Sequence, residues 1–155
     1  MADGKTHAAA NIQILKWTTF ASAAAMAITQ DPAVMVVGVG AIVGSWVGLI
    51  CTPDIDHHAQ THEESRMYRI NYLLGLLWQA YWSPYQILIP HRSKWSHSPI
   101  FPGTFIRFIY LLWLPLIWTY FQLDFQTYFL FWMAAFCAQS VQDIRHAQLD
   151  KWGFN

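Results

Sequence analysis

Four long stretches dominate the chain, in which apolar residues run almost without interruption, separated by short polar breaks and one long mixed segment. Residues 8–29, 33–50, 101–123 and 125–141 each approach the roughly 20 residues that a helix needs to cross a ~30 Å hydrocarbon core. The first is Ala-rich and carries Asn11, Gln13, Lys16 and Ser22, as expected of a helix packed inside a bundle, whereas the second carries no charge. The break from Thr29 to Pro32 predicts a tight hairpin, because Pro32 fits the first turn of a new helix and Asp31 can cap it. The last two stretches predict a second hairpin, with Pro115 as a kink in its first helix. Between the hairpins, residues 70–89 are apolar but interrupted by Gln79, Ser83, Pro84 and Gln86, which reads as an interfacial or re-entrant helical segment. The expected fold is therefore all-α: a single membrane domain over residues 1–155, with about four transmembrane helices and this central segment.

Gly40, Gly44 and Gly48 recur every four residues in the second stretch. Such a stripe lets another helix approach closely; the competing reading is the general tolerance of membrane helices for glycine. Composition agrees with the pattern. Of 155 residues, 55% are hydrophobic and only 12% are charged, against about 25% charged in soluble domains. Nine Trp, seven Tyr and ten Phe suit aromatic belts at two lipid interfaces. A formal net charge of zero offers no basic surface for a phosphate polyanion, which excludes nucleic acid as an expected partner. Cys51 and Cys137 lack the spacing of a redox pair or zinc knuckle and read as buried thiols. Asp3, Lys5 and His7 precede an interrupted apolar run unlike a cleavable leader, so the N-terminus is expected to be retained.

Lys5, Arg66, Arg69, Arg92, Lys94, Arg145 and Lys151 fall on the side shared by the termini and the central loop, with Lys16 and Arg107 within snorkelling reach of it. The opposite turns, Thr29 to Pro32 and Gln122 to Gln126, contain no Lys or Arg. Since cytoplasmic loops concentrate these residues, both termini are expected to be cytoplasmic, in an inner or other energy-transducing membrane. The lipid bilayer is then the main partner, alongside membrane-complex partners or a second copy of the chain.

That topology gathers His7, His57, His58, His62, His91, His97 and His146 with Asp54, Asp56 and Asp143 at one face. Ionisable groups near hydrocarbon cost about 2.5 to 3.5 kcal/mol each at the bilayer centre, so a compensating partner is expected. After the second stretch, Pro53 disfavours simple continuation. Either Thr52 caps a new turn beginning Pro53-Asp54, or the chain is extended with Asp54 and Asp56 on one side. Both arrangements offer oxygen ligands to a cation, although an isolated Pro-Asp-x-Asp is more often a solvated acidic turn. The loop from His91 to Pro99 supplies two imidazoles suited to zinc, iron or manganese, and Arg92 and Lys94 suited to an anionic substrate oxygen. It equally suits a basic loop on lipid headgroups. Asp143, near the negative end of an apolar helix, wants a cation; His146 reads as a charge favourable to that helix end. His58 and His62 are four apart and suit a metal if that segment is helical, but beside Glu63 and Glu64 they read rather as a solvated loop.

Lys5-Thr6-His7, Pro53-Asp54-Ile55-Asp56 and the run from His91 to Pro99 together resemble a family of uncharacterised bacterial and cyanobacterial metal-binding membrane proteins, which looks related to LexA-regulated inner-membrane metal-dependent hydrolases. The resemblance covers most of the chain in order. It implies His7, Asp54, Asp56, His91, His97 and Asp143 as ligands of one or two divalent ions (zinc, manganese, iron or magnesium). It also implies a His about one turn before Asp143, where this chain has Gln139 and Ser140, which leaves a second metal open. Two functions compete: a hydrolase of a phosphoester or lipid-like substrate at the cytoplasmic face, with Arg92 or Lys94 holding phosphate, and a non-catalytic membrane subunit or scaffold with a structural metal site or polar network. A transporter would need polar groups near the midplane, where the helices have few.

Overall fold

A computed structural model describes residues 4–56, 61–91 and 93–150. Among these it has no strand; seven α-helices and one short 3-10 turn account for the fold: α1 (Gly4–Thr29), α2 (Pro32–Ile50), the turn Pro53–Asp56, α3 (His62–Ile70), α4 (Tyr72–Leu88), α5 (Lys94–His97), α6 (Gly103–Gln122) and α7 (Phe125–Leu149). The first hairpin forms as the sequence predicts. Asp31 accepts from the Ala33 N–H at 2.7 Å and the Val34 N–H at 3.4 Å, and Pro32 opens α2. Gln30 makes the reversal with φ of 52°. In the second hairpin, Asp124 caps α7 by accepting from the Thr127 N–H at 3.0 Å. Pro115 lies inside α6 without ending it.

α2 packs against both α1 and α7, and the glycine stripe is the reason it can. A Cβ at Gly40 or Gly44 would collide with the Phe131 or Ala135 carbonyl of α7, and one at Gly48 would collide with the Gln142 side chain. Backbone and side chain of α7 therefore lie where any larger residue would push the helices apart. The central segment becomes α4, whose N-terminus is capped by the Asn71 side chain and which accommodates Pro84. Its inner face buries Trp82 and Tyr85 against Val47, Cys51 and Ile55. Tyr81 and Tyr110 bind α4 to α6 reciprocally, each hydroxyl donating to the other's carbonyl.

Four spans are expected from the sequence, yet among the described residues only α2 and α6 are long and apolar enough, by length and composition, to cross a membrane. α1 falls short through Asn11, Gln13 and Lys16. α7 runs on past the expected end at residue 141 to Leu149, and its last three turns are polar. Along these turns Gln139, Ser140, Gln142, Asp143 and His146 point inward and are buried, while Arg145 and Gln148 stay exposed. α6 presents Trp113, Leu114, Ile117, Trp118 and Phe121 outward.

Candidate metal centre

Two antiparallel hairpins place the N-termini of α1 and α6 beside the C-termini of α2 and α7. His7, one turn into α1, therefore meets the turn that follows α2 and the last turns of α7. One ligand atom each of His7, Asp54 and His146 lies within 4.8 Å of the others. The His7 and His146 rings stack at 3.7 Å between centroids. Asp150 closes the group, with Oδ1 3.1 Å from His7 Nε2 and Oδ2 3.4 Å from His146 Nε2.

Asp54 joins this group to a second one. Its Oδ1 lies 3.5 Å from His146 Nε2 and 3.9 Å from His97 Nε2. His97 Nδ1 faces Asp56 Oδ2 at 3.4 Å and Ser96 Oγ at 2.9 Å, and His91 Nδ1 lies 2.8 Å from Asp56 Oδ1. The two acids are arranged by the 3-10 turn, in which the Ile55 N–H donates to the Thr52 carbonyl at 3.2 Å. Of the two geometries open from the sequence, the chain takes a new turn, but Thr52 starts it with its carbonyl, and its hydroxyl has no hydrogen-bond partner. Ile55 is buried in the apolar core, Asp56 is fully buried, and the Asp54 side chain remains 37% exposed. Asp54 and His91 thus form the accessible rim.

Charge in the cluster is shared between acids and imidazoles. Burial pushes the Asp54 carboxyl up, but the adjoining His146, His7 and His97 outweigh it and hold it below the usual carboxylate range. For Asp56, burial is likewise overcome by hydrogen bonds with His97, Ser96 and His91, which bring it down to about 2. Burial and the neighbouring His146 lower His7 despite Asp150. His146 moves the other way: burial lowers it, but Asp54, Asp143 and Asp150 raise it above its ordinary value. Both carboxylates are therefore ionised at neutral pH, and the stacked imidazoles hold protons unequally.

Five of the six residues implied as ligands, His7, Asp54, Asp56, His91 and His97, lie in this connected network. Asp143 is engaged elsewhere: its Oδ2 accepts from Arg107 Nη2 at 2.7 Å and from the Thr104 hydroxyl. Arg107, expected to snorkel to the interface, is instead 0% exposed, because Asp143 provides its counter-charge inside the bundle. Lys94, expected to hold an anionic oxygen, is exposed, with its ammonium 5.7 Å over the Trp95 ring. Arg92, His57 and His58 lie outside the described residues. His146 and Asp150 are the residues that sequence reasoning passed over. A signal for them exists: Asp143, His146 and Asp150 share one face of α7 at helical spacing.

The donor set fits a cation. His146 is 2% exposed, its two ring nitrogens have no directed hydrogen bond, and Nε2 sits at nearly equal distance from two carboxylates. Two imidazoles with carboxylate oxygens suit borderline divalent ions. The molecule is thus an all-helical protein with a His/Asp cluster of metal-ligand type at one end of its bundle. Residues 2–154 match the model of a family described as "Uncharacterized metal-binding protein (DUF2227)", and the chain belongs to that family. The description carries metal binding, without the membrane location or the LexA-regulated hydrolase relation suggested by the resemblance. Neither a search of curated proteins nor one of solved structures found a match.

Proposed function

We propose that this chain is a membrane-embedded, divalent-metal-dependent hydrolase acting on a phosphoester or lipid-like substrate at the cytoplasmic membrane face. The observation that carries the reading is the meeting of His7, Asp54 and His146 within 4.8 Å, beside the linked group of Asp56, His91 and His97. Membrane embedding is supported by α2 and α6, by the outward apolar face of α6, and by the placement of Lys and Arg on the side of the termini and central loop.

A divalent ion, when bound, supplies Lewis acidity toward a phosphoryl oxygen and toward water. His7, Asp54 and His146, with Asp150, would hold it; Asp56, His91 and His97 would hold a second. The protein's own contribution is orientation and access. Ser96 and Asp56 fix the His97 ring through Nδ1, which turns Nε2 toward Asp54. Burial of Asp56 keeps water from one side of the cluster, while the exposed rim at Asp54 and His91 admits substrate. Lys94, which follows His91 closely in the chain, is a cation available to an anionic substrate, and Arg92 is a second by its place in the sequence.

Purified full-length protein is expected to carry stoichiometric divalent metal by elemental analysis and to release phosphate from a phosphoester only when loaded. Asp54→Ala is expected to abolish both. Full metal occupancy in that variant sinks the site, and native protein that is loaded yet inert on lipid and soluble phosphoesters sinks the hydrolase. Withdrawal of Asp143 by Arg107 favours a second reading, in which the metal is structural and the chain is a membrane subunit or scaffold. A closed tetrahedral cobalt(II) spectrum would support it, and an open coordination position would support catalysis.

A further inference from the structure

α2 ends by pointing its C-terminus at a turn that carries two ionised carboxylates, Asp54 and Asp56. A helix C-terminus is itself negative, with carbonyls that have no partner inside the helix. Cations are the usual remedy, but the last turn of α2 contains no basic residue. Carboxamides occupy their place. Asn11 of α1 donates from Nδ2 to the Gly48 carbonyl at 3.2 Å, and Gln139 of α7 donates from Nε2 to the Cys51 carbonyl at 3.5 Å. Within the turn, Gln86 of α4 donates from Nε2 to the carbonyl of Ile55, between the two acids, at 2.9 Å. Asn11 is 3% exposed and Gln139 is 0% exposed, so water does not share these bonds.

Gln86 is held in turn. Its Nε2 also donates to Glu64 Oε1 at 3.2 Å. Glu64 is fixed by a reciprocal capping box in which its Oε2 accepts from the Thr61 N–H at 3.1 Å and its own N–H donates to the Thr61 hydroxyl at 3.2 Å. Three amides from three different helices thus grip the backbone on both sides of Asp54 and immediately before Asp56. An amide suits these positions because it offsets carbonyl charge without adding a formal cation that would compete with the metal for the acids.

We infer that Asn11, Gln86 and Gln139 are positioning residues of the metal centre, suspending the Pro53–Asp56 turn so that Asp54 and Asp56 keep their ligand geometry against the negative end of α2. This rests on the metal-binding reading above. Their amide groups donate to backbone carbonyls, and they act through the backbone that carries the acids.

Gln86→Met, near-isosteric and unable to donate, is the decisive variant because Gln86 is only half-buried; Asn11→Leu is its buried counterpart. Cobalt(II) affinity of the full-length protein is expected to fall about 10- to 100-fold in each, as for outer-sphere partners of metal ligands. The cobalt visible spectrum should change, while the thermal midpoint of metal-free Gln86→Met stays near native. Native affinity and spectrum in Gln86→Met overturn the inference, whatever its thermal midpoint. Hydrogen exchange of metal-free protein supplies an independent arm: amides in 51–56 should exchange faster in the variant, with α2 and α7 at native rates, and unchanged exchange there overturns the inference too. Native protein that takes up no cobalt defeats the metal reading alone, and the exchange arm still decides the role of Gln86.

Discussion

Two polar centres lie side by side at the same end of the bundle, and they balance charge in different ways. In one, Arg107 and Asp143 face each other at 2.7 Å, with exposures of 0% and 2%. The guanidinium is a permanent cation, so that carboxylate is matched whatever the conditions. In the other, Asp54, Asp56 and Asp150 are matched by imidazoles, which neutralise only when protonated, and two buried nitrogens of His146 make no directed hydrogen bond. A buried carboxylate with a fixed partner is structural. Carboxylates whose partners are themselves good ligands are prepared for a cation. Asp143 and Asp54 are alike in residue type and differ in partner and in access: Asp143 is 2% exposed beside a guanidinium, and Asp54 is 37% exposed beside imidazoles.

The difference is broken most severely at Arg107. Arg107→Leu leaves Asp143 buried without its counter-charge, and the expected loss is about 3–5 kcal/mol of unfolding free energy, measured by chemical denaturation of metal-free protein. A second change, Asp143→Leu, in the same chain should recover most of it, since an ion pair replaced by packed apolar groups is often neutral. A double variant as unstable as the single one would mean that the loss does not come from the unpaired Asp143 carboxylate.

His146→Ala sharpens the comparison from the other side, with a smaller effect. Zinc at about a hundredfold excess over its dissociation constant stabilises a native state by about 2.7 kcal/mol. That increment is expected in native protein and in Arg107→Leu, and it should vanish in His146→Ala. Equal zinc stabilisation of native protein and His146→Ala would remove His146 from the site.

How far these centres were legible from sequence follows from the kind of information each needs. Asp31-Pro32 announces its hairpin because both residues act on the next few peptide groups. The glycine stripe is equally local in its spacing, and its docking on Phe131 and Ala135 follows once α7 lies alongside. The pairing of Arg107 with Asp143 joins residues 36 apart and depends on which faces of α6 and α7 meet. Nothing in either segment alone fixes that rotation, so Arg107 reads as an interface residue and Asp143 as a ligand. His146 was obscured by a good local explanation, its favourable charge at a helix end, which is true of any terminal His and hides the specific approach of His7. The Thr61-x-x-Glu64 capping box was readable, but its reach to the acidic turn through Gln86 was not.

The smallest expected effect concerns Thr52, which tests whether every buried polar group at this end belongs to the cluster. Its hydroxyl is buried with no hydrogen-bond partner, and the turn it precedes begins from its carbonyl, which any residue supplies. Thr52→Val keeps the shape and β-branching while removing an unsatisfied group, so the expected change in stability is between zero and about 1 kcal/mol in the stabilising direction. Zinc stabilisation should be unaltered. A loss of zinc stabilisation in Thr52→Val would show that this hydroxyl orients the acids after all. The boundary between groups that bind a cation and groups that merely lie beside it would then have to move from the turn back to the link that joins it to α2.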